Sequence, residues 1–309
     1  MRLPTLTQNK RELRTGLSLV LYSAGSVHEI APAVAGVIES YLQFVPPRTL
    51  RNHFTNDASG DGTYAALTEK VVERDLKTLR ALPRKKKAFT LDYVQGSGTG
   101  PGTHSVFFEG TRLEKPRGSE DETNLLRLDV PSDVLRSPGL DAFLDFIIRI
   151  SSMFPFQTGN CGLCLQRLAM GNDDVDEAVL SFLPRYAGFE FSSSSLRYDM
   201  GGHTFGAHWI ELLDPALAKK LGGLKAIRKA LPKAEVRELP NGVFIRGAKL
   251  PPVGDLRNGA ADVGLLPDVA RLLLPTRLEL DELEFTGDFD AAEWLARYDG
   301  MKSRAWDNG

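Results

Sequence analysis

At 309 residues the chain has material for about two ordinary domains or one with a duplicated core, and burying a sizeable core is no difficulty at that length. Its 38 Lys and Arg against 40 Asp and Glu leave a formal net charge of -2, so no global basicity advertises nucleic acid or an anionic membrane, and a charged partner must be met by a local patch. The N-terminal stretch is polar, the first apolar run (residues 17–22) is too short for an export signal, and no run nears the roughly 20 apolar residues of a membrane helix, so the expectation is a cytoplasmic protein.

Residues 17–22 (LSLVLY) read as a buried strand bounded by glycines. An amphipathic helix over 28–44 follows, stopped by Pro46-Pro47, and a second over 64–82 ends at Pro83. Strands are expected at 88–94, 105–112 and 125–130, then an apolar helix at 140–153 and a strand around 161–168. A short helix at 175–182 and a serine-rich passage at 192–195 lead into a strand at 205–213.

Asp214 is a good N-cap with Pro215 behind it, and Leu217, Leu221, Leu224, Ile227 and Leu231 recur at helical steps. Gly222-Gly223 interrupts that stripe, so two short helices are expected. Pro240-Asn241-Gly242 between apolar runs signals a hairpin of residues 235–239 and 243–246. A helix at 267–274, a strand at 280–285 and a last helix at 291–298 complete the chain.

Both halves share a β-α-β-β-α-β skeleton, so the predicted fold is α+β: two related, ferredoxin-like halves whose antiparallel sheets carry helices on one face. The expected division is an N-terminal half over 1–170, a connecting segment over 171–200 and a C-terminal half over 201–309.

Motif chemistry is sparse. The glycine run 96–102 joins two strands and so lacks the helix N-terminus that a phosphate loop needs. Cys161 and Cys164 form a C-x-x-C with strand character, where residues three apart point to opposite faces, and no second pair completes a zinc site. The five histidines are scattered without a hydrolase, metalloprotease or P-loop signature, and His203 and His208 flanking a strand read as structural. The basic run Arg84 to Lys87 lacks interleaved aromatics and reads as a solvated turn. No catalytic residue, metal ligand or cofactor site is predicted.

The most informative stretch is 206–259, with a helix ending in Leu274-Pro275-Thr276-Arg277 behind it. Trp209, Leu221-Gly222-Gly223, Pro252, Gly254-Asp255, Arg257, Asn258, Leu274-Pro275 and Arg277, in this order, resemble the TsiV family, bacterial type VI secretion immunity proteins for VRR-Nuc effectors, and relatives against other restriction-endonuclease-like toxins. The resemblance covers the last third of the chain by residues and the rest by order of elements. It departs at 256–264, which is alanine- and glycine-rich without the aromatic expected there.

The resemblance implies a non-enzymatic protein that binds a cognate toxic nuclease and occludes its DNA-binding or active site, with no direct nucleic-acid contact. Trp209, Gly222, Gly223, Pro252, Gly254, Asp255 and Arg257 are then architectural. Between Glu279 and Glu293 stand seven carboxylates and no Lys or Arg. This run serves either solubility or a basic partner, and a nuclease's DNA-binding face must be basic, which makes Asp281, Glu282, Glu284 and Asp288 the candidate partner-binding residues. The other class is a small-molecule enzyme or ligand-binding protein with Asp255 and Arg257 in a cleft between the halves.

Overall fold

The computed structural model describes residues 13–55, 64–96, 102–113, 121–136, 139–166, 179–191, 194–258, 262–279 and 290–304. Strand β1 (Arg14–Ser23) runs into helix α1 (Val27–Phe44), whose start is fixed where Glu29 reaches back to accept the Ser26 N–H at 2.9 Å. Short β2 (Asn52–Thr55) and β3 (Ala65–Ala66) precede α2 (Glu69–Arg80). The helix expected from residue 64 thus begins later, because Ala65 and Ala66 pair with β2 and the Thr68 side chain caps by accepting from the Val71 N–H. Then come β4 (Ala88–Val94), β5 (Ser105–Thr111), β6 (Asn124–Pro131), α3 (Gly139–Met153) and β7 (Thr158–Gln166).

The remainder holds β8 (Phe189–Glu190), β9 (Ile210–Leu213), α4 (Pro215–Lys220), α5 (Gly223–Ala230), the hairpin β10 (Glu235–Leu239) and β11 (Gly242–Arg246), α6 (Leu266–Leu273) and α7 (Ala291–Leu295). The strand expected over 205–213 is cut to four residues, with Gly206 ahead of it in the left-handed region at φ 81°. The expected strand at 280–285 and the first half of the expected helix at 175–182 lie outside the described residues, while 179–182 are helical.

The fold is a mixture of helices with an antiparallel sheet, as expected of an α+β chain. Its eleven described strands form one sheet rather than one per half, in the order β10-β11-β9-β7-β1-β6-β5-β4-β2-β3, with β8 added in parallel to β7. Strand β7 makes this continuity: Cys161 pairs with Leu19 of β1 on one side and with Ile210 of β9 on the other.

The expectation of helices on one face is overturned. Phe244 and Leu212 belong to the core shared with α1 and α3, whereas their neighbours Val243, Ile245 and Leu213 pack with Leu217, Ile227 and Val269 of α4, α5 and α6. Successive strand residues point to opposite faces, so both faces at this end of the sheet carry apolar side chains and both are covered. The second face of the central strands is polar but equally buried: Ser18, Arg127, Asp129 and Gln166 are each 6% exposed or less.

Candidate functional site

The family-like loop is built against residues 185–189. Ala187 N–H donates to the Gly254 carbonyl at 3.0 Å, Gly188 N–H to the Val253 carbonyl at 3.2 Å, and Leu256 N–H to the Arg185 carbonyl at 2.9 Å. So close an approach leaves no room for side chains at its glycines. A Cβ on Gly188 would stand 1.9 Å from the Pro252 carbonyl oxygen, and one on Gly254, at φ 65°, would stand 2.7 Å from the Gly188 nitrogen.

Asp255 ties this loop down. Its Oδ1 and Oδ2 accept from Arg185 Nε and Nη2 at 3.1 and 2.9 Å, and Oδ1 also accepts the Arg257 N–H at 3.2 Å. The hydrogen bond from Arg185 holds the Asp255 carboxyl below its usual range, and the guanidinium lies 4.6 Å from the Tyr186 ring centre. Arg257 itself is exposed. Trp209, buried ahead of β9, donates its indole N–H to the Ala248 carbonyl at 2.8 Å. Gly222 at φ 89° and Gly223 at φ 82° let α4 stop and α5 start anew.

The same segment is gripped from behind by the end of α7. Arg297 Nε and the Tyr298 hydroxyl both donate to the Ala187 carbonyl, at 2.8 and 2.5 Å, while the Arg297 guanidinium lies 3.7 Å from the Trp294 ring centre. Between α7 and the loop opens a groove of about 410 Å³ whose walls include Leu183, Pro184, Leu256 and Trp294. Leu256 is 38% exposed there. Asp290, which caps α7 by accepting the Glu293 N–H at 2.8 Å, and Glu293 bring carboxylates to the groove. Asp281, Glu282, Glu284 and Asp288 lie outside the described residues.

Beneath this region lies an ionic cluster that the sequence reading did not single out. His208 is buried with its Nδ1 2.8 Å from Glu211 Oε1 and its Nε2 2.9 Å from Glu190 Oε2. The Glu190 contact is better counted as an ion pair, since its angles miss those of a hydrogen bond. Burial alone would lower the imidazole's pKa, but the two carboxylates more than reverse this and raise it to about 9. Burial pushes the Glu211 carboxyl up as well, against the pull of the imidazolium. Only the spacing of His208 and Glu211 hinted at this; Glu190 arrives from β8, which no local pattern announces.

Cys161 and Cys164 are both buried and unbridged. Cys161 is opposite Leu19 in the apolar core and Cys164 opposite Gly16, so their side chains lie on opposite faces of β7. Burial raises both thiols well above their usual pKa.

An α+β chain with these ordered loop residues belongs to the immunity proteins of the type VI secretion system. Specifically, the family TsiV, type VI immunity for VRR-NUC, matches residues 34–298, and the chain belongs to that family. A solved structure, Pseudomonas aeruginosa T6SS protein PA0821, is similar with a TM-score of 0.78 over 93% of this chain and 82% of that one, at 17% identity. At that identity the likeness is one of fold. A search of curated proteins finds no match. Among the described residues no helix is long and apolar enough to cross a membrane.

Proposed function

We propose that this chain is a non-enzymatic, cytoplasmic immunity protein that binds a cognate type VI nuclease effector and occludes its DNA-binding or active site. The observation that carries the mechanism is the groove beside the family loop. It joins exposed apolar surface at Leu256 to carboxylates at Asp290 and Glu293, the last two members of the acidic run. Apolar surface with two carboxylates along its α7 side suits a basic nucleic-acid-binding face, and such complexes bury about 1,200 to 2,000 Å² and gain association speed from complementary charge. Asp281, Glu282, Glu284 and Asp288 are the further carboxylates proposed to meet the effector's basic face.

The test is survival of cells expressing the effector together with the wild-type chain or with L256R/E293K, both sites being exposed. Wild type should protect; the double variant, with an unchanged melting temperature, should not. Full protection by a folded double variant removes the groove from the mechanism, and failure of wild type removes the function itself.

The ferredoxin-like reading of the halves belongs to the same proposal. The strand order β7-β1-β6-β5, with α1 and α3 as connections, supports it for the N-terminal half, and β9-β11-β10 beside β7 supports a similar C-terminal half that borrows β7 as its fourth strand. The division at 170 and 200 is then between units sharing one sheet.

A further inference from the structure

On the second face of the central strands, Ser18, Arg127, Asp129, Cys164, Gln166 and Glu190 surround a cavity with about 10 Å³ open to the centre of a water-sized sphere. Gln166, Asp129 and Glu190 are each held by one polar atom of the side chain, which leaves the other free to face the cavity. Gln166 Nε2 donates to the carbonyls of Val130 at 2.8 Å, Thr103 at 3.3 Å and Leu17 at 3.4 Å, so the amide is oriented with Oε1 left over. Asp129 Oδ2 accepts the Ser105 hydroxyl at 2.6 Å and lies 3.4 Å from Arg127 Nε, leaving Oδ1. Glu190 Oε2 is committed to His208 at 2.9 Å.

Besides Glu190 Oε2, which is ion-paired with His208, five buried atoms of the lining residues make no hydrogen bond within the protein: Arg127 Nε and Nη2, Asp129 Oδ1, Gln166 Oε1 and the Ser18 hydroxyl. Leaving such groups unmet in a closed interior costs about 1–3 kcal/mol each, so a native fold resolves them. The demand is two-sided. Arginine offers only N–H donors, whereas a carboxylate oxygen and an amide oxygen can only accept. A cation cannot accept from Arg127, and a simple anion cannot donate to Asp129 or Gln166. The occupant must both accept and donate, and the cavity admits one occupant of about water size.

We infer that this cavity is a built site for a single internal water, accepting from Arg127 and donating to Asp129 and Gln166, with the Ser18 hydroxyl as a further partner. Because Ser18 lies on β1, Arg127 and Asp129 on β6, and Gln166 on β7, the water joins the three central strands on the face opposite α1 and α3. It makes the buried Arg127 a satisfied member of the sheet rather than an orphaned charge.

A crystal structure of the full chain at about 1.5 Å or better tests this directly, with expected contacts of roughly 2.7–3.2 Å. One density peak within those distances of an Arg127 nitrogen and of Asp129 Oδ1 or Gln166 Oε1, without anomalous signal, is the expected result. A Ser18→Val variant fills the site, so oxygen-17 relaxation dispersion should count one fewer long-lived water than in wild type. An empty cavity, an ion in it, or Arg127 collapsed onto Asp129 so that the space is gone would each overturn the inference, as would an unchanged water count in a folded variant. If the variant does not fold, the wild-type density decides alone.

Discussion

Arg185 holds Asp255 by two parallel hydrogen bonds, at 3.1 and 2.9 Å, and the same carboxylate accepts the Arg257 backbone N–H two residues on. One side chain thus fastens the loop both to the preceding segment and to itself. Asp255→Ala should lower the melting temperature by a measurable but modest step, because Arg185 is 37% exposed and water substitutes readily. Affinity for the effector per folded molecule should change less than stability. Calorimetry beside binding separates the two; a fully stable variant that no longer neutralises would place Asp255 in the interface.

The glycine that precedes it sets a stricter limit. Gly254→Ala puts a Cβ on a residue at φ 65° and 2.7 Å from the Gly188 backbone nitrogen, which has no flexible end to yield. We expect a loss of about 1–3 kcal/mol in denaturant unfolding. A loss no larger than a few tenths would show that the loop relaxes and that its close packing on Gly188 is dispensable.

The pH dependence follows from His208, which faces Glu190 from β8 and Glu211 from β9, with Arg297 Nη2 4.0 Å from Glu190. Its folded pKa of about 9 lies above the ordinary imidazole value of 6.5, so its stabilisation is full below 6.5 and is lost as pH rises to 9. Glu211, also raised, acts with the same sign at lower pH. Wild-type melting temperature should therefore fall between pH 6.5 and 9, and His208→Gln should flatten that fall while lowering stability at pH 6. Parallel pH profiles for the two proteins would show that the imidazole is neutral in the fold.

How far the sequence could be read divides by range. The break at Gly222-Gly223, the Asp214 cap and the Asn241-Gly242 hairpin were legible because each is set by residues a few positions apart. The single sheet was not, since it depends on β7 pairing both with β1, over a hundred residues earlier, and with β9. Nor was the buried polar face. Arg127 and Asp129 alternate with leucines in β6, a pattern that equally describes a strand with one side in water, and only the elements covering that side decide otherwise. For the site, Asp255 was singled out from the loop, whereas its partner Arg185, seventy residues away in sequence, carried no signal.

Charge reversal of Asp281, Glu282, Glu284 and Asp288 to lysine addresses the acidic run. If these residues steer a basic nuclease face, stopped-flow association should slow by about tenfold or more, and the wild-type rate should drop as salt shortens the screening length to about 10 Å at 0.1 M. Equal rates and equal salt slopes for both proteins would leave the run as a solubility feature.

If the chain silences a nuclease by direct occlusion, as proposed, the effect must appear when it is titrated into a DNA-cleavage assay of the purified cognate effector. Cleavage should disappear at one immunity protein per effector, and excess DNA added beforehand should delay the inhibition because the two compete for one face. Undiminished cleavage at a large excess of folded protein, or inhibition untouched by DNA, would contradict occlusion.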